Sequence, residues 1–160
     1  MKFLAGLMVL ILLCSIGGVA WLYLEATVTV EATGTAVVEA TAQPELFRTL
    51  SHQMRNDAVI GTTFRHTALD QPADYQFTVY TVRLKNNCFL TADMVEVQVT
   101  PMQGDVLQLA DGSARALAAR STGDLGATIL TDINMHSVRE LNISYYMWGM
   151  PFTIRTTYGH

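Results

Sequence analysis

The stretch that decides the fold is Tyr75–Lys85, YQFTVYTVRLK, followed after a break by Met94–Thr100, MVEVQVT. In the second stretch three valines alternate with Glu and Gln, and a period of two is typical of a half-buried β-strand. The pair Asn86-Asn87 closes the first stretch with residues that favour turns. No helix of crossover length fits between the two stretches, so the sheet that they predict is antiparallel.

Similar signals extend outward from this centre in both directions along the chain. The predicted strand Thr27–Thr41 is interrupted by Gly34, which predicts a bulge or bend. The pair Asp111-Gly112 predicts a hairpin turn. The other predicted strands are Thr27–Thr41, Ala58–Arg65, Val106–Leu109, Arg115–Ala119, Leu125–Thr131, Val138–Tyr146 and Phe152–Tyr158. The predicted fold class is therefore mainly β, an Ig-like antiparallel β-sandwich with one short helix, preceded by an N-terminal transmembrane helix.

The short helix is predicted at Pro44–Arg55, PELFRTLSHQMR. Proline and glutamate in the first turn are typical of a helix start. Leu46, Phe47, Leu50 and Met54 recur at helical spacing and form an apolar stripe. We expect this stripe to pack against the sheet, because Glu45 and the lack of flanking lysines disfavour a membrane-surface helix.

The N-terminus carries 22 residues, Phe3–Leu24, without a charged side chain. As a helix they span about 33 Å, close to the hydrocarbon core of about 30 Å. Lys2 precedes the segment, acidic residues follow it, and the next basic residue is Arg48. The positive-inside rule then places the N-terminus in the cytoplasm. We predict a single-pass anchor at residues 1–24 and an extracytoplasmic domain at residues 25–160, in the cell membrane and close to the bilayer.

A cleaved signal peptide is the alternative for this segment. Signal peptides have an apolar run of about 7–15 residues, which is shorter than the run here, and this favours the anchor. Gly18-Val19-Ala20 would nevertheless serve as a cleavage site, and cleavage would make the protein a secreted module.

The charge and the cysteine content limit which functions and which disulfide bonds the chain can have. Ten basic residues against fourteen acidic ones give a net charge of −4, so no excess of cations is present to bind nucleic acid. Cys14 lies in the apolar segment and Cys88 in the outer domain, so the two cannot pair within one chain. Cys88 is predicted to be a buried thiol, with an intermolecular disulfide as the alternative.

The sequence contains no motif that supports catalysis or cofactor binding. Nucleophile-elbow, Ser-x-x-Lys, P-loop and dinucleotide fingerprints are absent. No histidine is spaced from another ligand as in a zinc site, although ligands from separate loops could still meet in space. The histidines are His52, His66, His136 and His160. We therefore predict no catalytic residue, cofactor or metal, and no enzyme.

One segment suggests an interaction surface, Tyr145–Phe152 with the sequence YYMWGMPF. Strand alternation places Tyr146 and Trp148 on the outward face, where exposed aromatic side chains mark binding patches for a protein or a carbohydrate. The alternative is that Trp148 folds over the turn at Gly149 and packs on the domain.

Four segments of residues 75–158 together resemble the Ig-like modules of bacterial surface proteins, most closely the CARDB type. They are TVRLKNN, VEVQVTPMQGDVLQL, LAARSTGDLGATIL and ELNISYY with WGMPF. The resemblance implies a non-catalytic extracytoplasmic module that binds a partner or has a structural role in a bacterial cell envelope, and it transfers no functional residue. The alternative function is an accessory subunit of an envelope secretion or transport assembly, in which small residues of the anchor contact other membrane helices.

Overall fold

The structure is a computed structural model that describes residues 2–25, 27–110 and 115–158. Within these ranges it contains two α-helices and nine β-strands. The helices are α1 (Lys2–Glu25) and α2 (Pro44–Arg55). The strands are β1 (Val28–Glu39), β2 (Gly61–Thr63), β3 (Tyr75–Asn86), β4 (Ala92–Val99), β5 (Asp105–Leu109), β6 (Arg115–Leu117), β7 (Thr122–Asp132), β8 (Arg139–Met147) and β9 (Met150–Tyr158).

The strands form two sheets with antiparallel pairing throughout. One sheet has the order β1-β3-β7-β5-β2, and the other has the order β6-β4-β8-β9. Alternate side chains of both sheets meet in one buried cluster, which contains Tyr80, Ile129 and Ile143. The predicted fold class, a mainly β antiparallel sandwich with one short helix after an N-terminal apolar helix, is confirmed.

Helix α2 has the predicted bounds and covers a second apolar cluster at one end of the five-stranded sheet. Phe47 and Leu50 are buried there against Tyr75, Leu107 and Leu130. Leu46, at the edge of the predicted stripe, remains partly exposed. The amphipathic spacing therefore identified the buried face of the helix.

A buried ion pair joins the two sheets at the end of the sandwich where β8 begins. Arg139 Nη2 lies 2.6 Å from Asp105 Oδ1, and neither side chain is accessible to solvent. Arg139 Nε donates a second bond to Asp105 Oδ2 at 3.0 Å, and Nη1 donates to the carbonyls of His136 and Val138. The pair is therefore bidentate and supported by further bonds, as a buried ion pair requires.

Two sequence predictions within the large sheet need correction. The predicted strand at 58–65 is only β2, because the N–H groups of Phe64 and Arg65 both turn to the carbonyl of Val106 and end the ladder. The irregularity of β1 lies between Val30 and Ala32, whereas Gly34 is paired regularly. The inserted residue is Glu31, and its carboxylate contacts Lys85 at 3.1 Å on the neighbouring strand.

The predicted hairpin after β5 is also wrong. Its turn, Asp111-Gly112, lies outside the described residues, but the strands on either side of it do not pair. β5 pairs with β2 and β7, and β6 pairs with β4 in the other sheet. The segment after β5 therefore changes sheets, because Leu117 is buried in the central cluster beside β4.

Helix α1 is one continuous apolar helix that is long enough to cross a membrane, and its apolar residues are not buried inside the protein. These properties fit a membrane anchor or a signal sequence. Its last turn approaches the sandwich, where the ring centroids of Tyr23 and Phe152 lie 5.7 Å apart. β1 begins at Val28, so a two-residue link separates the helix from the sandwich.

Candidate functional site

The hairpin between β8 and β9 carries both predicted surface residues. Met147 pairs with Met150, which leaves a two-residue turn at Trp148-Gly149. Both residues have positive φ, +54° and +76°, as a type I′ turn requires. Trp148 is 62% exposed and Tyr146 is 41% exposed, so the structure places both on the surface. Trp148 does not fold back over the turn.

The inward residues of the same hairpin fix it to the start of the domain. Tyr145 is buried and stacks on Phe152 with 5.4 Å between ring centroids. Its Oη accepts a hydrogen bond from the N–H of Val28 at 3.4 Å, while burial raises the pKa of the Tyr145 phenol above its usual value. Phe152 in turn contacts Tyr23 of α1. The hairpin tip is therefore held beside the point where α1 enters the sandwich.

Strand register shows which other loops share this end of the sandwich, which we call the α1 end. Val28 pairs with Asn86, so the loop at 87–91 lies there. Ala92 pairs with Leu117, which brings the loop at 118–121 to the same end. Phe89 of the first loop is 59% exposed, and the guanidinium carbon of Arg120 in the second lies 4.1 Å from its ring centroid. This geometry is a cation–π contact.

Backbone conformation also distinguishes the α1 end. Asp57 and Asn134, which tolerate positive φ, adopt it elsewhere, whereas Met94, Arg120 and Trp148 adopt it at or near this end. For large side chains this conformation costs about 1–2 kcal/mol. Strained residues with exposed side chains suggest a function, because packing does not explain them.

Met94 is part of this surface because β4 is irregular. The pairing of β4 shifts between Asp93 and Glu96 on the side of β8, and between Ala92 and Val95 on the side of β6. Met94 projects from this bulge and is 61% exposed. We call the set Phe89, Met94, Arg120, Tyr146 and Trp148 the α1-end surface.

The sequence predicted only two members of this surface. Phe89 carried a usable signal, since it is a large apolar residue two positions after the polar turn Asn86-Asn87. No sequence signal marked Met94 or Arg120. The position of Met94 depends on the bulge in β4, and that of Arg120 depends on the pairing of β6 with β4.

A cleft of about 550 Å³ lies beside Tyr146. The ionisable side chains in its described lining are Glu96 and the tyrosines Tyr145 and Tyr146, and Ser144 also lines it. That described lining contains no histidine, lysine or second carboxylate, and Glu96 lies opposite Ser144 in the pairing of β4 with β8. These groups can donate and accept hydrogen bonds to a bound molecule.

The described residues contain no group of three or more His, Cys, Asp or Glu side chains that could hold a metal ion. His160, one of the four histidines considered, lies outside the described residues. Cys88 is fully buried, as predicted, and its Sγ accepts a hydrogen bond from the N–H of Leu90 at 3.4 Å.

No protein-family model matches this chain, and no curated protein is significantly similar to it in sequence.

Proposed function

We propose that this protein is a non-catalytic module of a bacterial cell envelope, anchored by α1 in a single pass, with the sandwich on the extracytoplasmic side. The observation that carries the proposal is the α1-end surface. It presents large, exposed and partly strained side chains on a hairpin tip that stacked rings hold in place. Such rigid aromatic groups are typical anchors of binding surfaces.

Retention of α1 is supported by its length and its surroundings. Its 24 residues exceed the apolar run of a signal peptide, which is about 7–15 residues. The contact between Tyr23 and Phe152 also supports retention, because it packs the end of the helix on the folded domain. The order of charges around the helix supports a cytoplasmic N-terminus.

The extracytoplasmic location and the module-like role are also what the resemblance to CARDB-type domains of bacterial surface proteins implies. A two-sheet antiparallel sandwich is the architecture expected of such a module. Because many functions share this architecture, the role is argued from the surface residues and not from the fold.

The alternative function is an accessory subunit of an envelope secretion or transport assembly. One observation favours it: a Cβ added at Gly6, Gly17 or Gly18 would meet no atom within 4 Å. Small residues on an open helix surface allow close packing of another membrane helix. In that case α1 itself, and not the α1-end surface, would bind the partner.

The first test uses the full chain with a C-terminal tag, expressed in bacteria. We expect an intact product of 17.6 kDa, apart from the tag, that resists alkaline carbonate extraction. A soluble product shortened by about 2 kDa would show cleavage after the apolar segment and would refute the anchored module. If the intact chain instead crosslinks to other membrane proteins through α1 alone, the accessory-subunit function replaces the proposed one.

A further inference from the structure

We propose that the α1-end surface docks on the headgroup layer of the bilayer that α1 spans. This inference rests on the proposed function, because it requires that α1 is retained as an anchor. Its partner is a lipid surface, and the groups that contact it are the loop tips at Phe89 and Trp148.

The first argument is the length of the link between helix and sandwich. Residues 26 and 27 separate Glu25 from Val28, and a chain of this length spans at most about 11 Å. Phe152 stacks on Tyr145 and makes a tilted ring contact with Tyr23, and these contacts keep the sandwich at the end of the helix. The α1 end therefore cannot move far from the membrane surface.

The second argument is depth. The 24 residues of α1 form a helix of about 36 Å, slightly longer than the hydrocarbon core of about 30 Å. The last turn of α1, with Tyr23, then lies in the headgroup layer, which is about 5–8 Å thick on each side. Phe152, and with it the β8–β9 hairpin, is packed against this turn. The hairpin tip thus lies at the depth of the headgroups.

The third argument is the chemistry of the surface. Tryptophan and tyrosine concentrate at membrane interfaces because their rings are amphipathic. Trp148 and Tyr146 belong to this class, and the apolar side chains of Phe89 and Met94 expose further apolar area beside them. Arg120 lies over Phe89, so its guanidinium is placed to reach lipid phosphates while its stem remains on the ring.

A bilayer accounts for the position of these residues better than a protein partner does. All five members of the surface lie at or near the one end of the sandwich that α1 brings to the membrane. Large exposed side chains at the opposite end, such as Met102 and Ile133, have negative φ. Among the described residues, large exposed side chains with positive φ therefore occur only at the α1 end, and the exposed residues with positive φ elsewhere are the smaller Asp57 and Asn134.

The test uses the fluorescence of Trp148. The chain has two tryptophans, Trp21 and Trp148, so the variant Trp21→Phe leaves Trp148 as the single emitter. The full chain is placed in phosphatidylcholine nanodiscs, where both faces are open to solvent, and first checked for intact mass and carbonate resistance. We expect lipid brominated near the headgroup to quench Trp148 strongly, and iodide to quench it several-fold less than a water-exposed tryptophan.

A matched control places the emitter at the opposite end. The variant Trp21→Phe, Trp148→Phe, Met102→Trp has its tryptophan at an exposed position beyond the far end of β4, about 25 Å away along the strand. We expect iodide to quench it freely and brominated lipid to leave it unchanged. A second reporter, Phe89→Trp with both natural tryptophans replaced by Phe, should behave like Trp148.

The outcomes separate the two proposals. A cleaved or carbonate-soluble chain refutes the proposed function. An anchored chain in which iodide reaches Trp148 as freely as it reaches the Met102 reporter overturns the docking and leaves the anchored module intact. Shielding of Trp148 from iodide without quenching by brominated lipid also overturns it, because a protein surface would then cover the tip.

Discussion

Loss of one member of the buried ion pair between Arg139 and Asp105 should destabilise the sandwich severely. Arg139→Met leaves the carboxylate of Asp105 without its charged partner at a site that solvent does not reach. Removing one partner of a buried pair costs about 3–5 kcal/mol, because the remaining charge is desolvated and uncompensated. For a domain of this size that corresponds to a fall in melting temperature of about 10–20 °C.

The matched variant is Arg139→Met with Asp105→Leu, which replaces both charges by apolar side chains. Replacing a whole buried pair is often close to neutral. Here the backbone groups of Met102, His136 and Val138 lose hydrogen bonds as well, at about 1 kcal/mol each or less where water replaces them. We therefore expect the double variant to recover at least half of the stability that the single variant loses.

The assay is urea unfolding of the full chain in one mild detergent, followed by the circular dichroism of the β-sheets. Four proteins complete the cycle: the parent, each single variant and the double variant. Single variants that lose less than about 1 kcal/mol would refute the reasoning, because the pair would then be hydrated. Losses that simply add in the double variant would also refute it, since the two side chains would not be coupled.

Three further predictions concern other parts of the sandwich. Burial raises the pKa of Tyr80 to about 12, so its neutral phenol stabilises the fold fully below pH 10 and this contribution is lost as the pH rises through 12. Tyr80→Phe should cost about 1 kcal/mol at neutral pH through the bond to Ser137, and should lose less stability than the parent in alkaline urea titrations. Trp148→Asn should change the free energy of unfolding by less than about 1 kcal/mol, because Asn-Gly suits the turn and offsets the lost contacts; a loss above about 2 kcal/mol would show that Trp148 is a packing residue. Gly61→Ala should weaken the pairing of β2 with β5, because the new Cβ would lie 2.2 Å from the carbonyl oxygen of Gln108; faster amide exchange in β2 would show it, and unchanged exchange would contradict it.

Sequence patterns within one segment predicted the helix and the strands whose formation depends on residues of that same segment. Helix α2 was found with its bounds because an apolar stripe, a proline start and a polar end agree over twelve residues. The long strand β3 was found because its β-branched and aromatic residues alternate with polar ones up to the turn at Asn86-Asn87. β7 was predicted to begin at Leu125 but begins at Thr122, because Gly123 and Asp124 pair with β3. The predicted strand at 58–65 was longer than β2, because pairing ends where the N–H groups of Phe64 and Arg65 both bond to the carbonyl of Val106. The sequence carries no sign of this change.

The site was harder to predict than the fold because it is assembled from strand ends. The outward position of Tyr146 follows from alternation within β8. Trp148 was predicted to face outward by the same alternation, but it lies in the turn after β8, and the conformation of the turn exposes it. Phe89 and Arg120 come together only because β6 joins the other sheet and pairs with β4. Such pairing between distant segments is set by burial of Leu117 and by register, neither of which a single stretch of sequence encodes.

The turn at Trp148-Gly149 gives the strongest support to the proposed contact of the α1 end with the bilayer. A type I′ turn favours asparagine or glycine at its first position, and both would avoid the left-handed strain of a large side chain. The chain has tryptophan there instead, and the ring is mostly exposed, so little burial compensates for the strain. Met94 and Arg120, on neighbouring elements at the same end, also combine positive φ with an exposed side chain. Backbone conformation would favour other residues at all three positions, and the proposed contact with the bilayer would account for the side chains that are present.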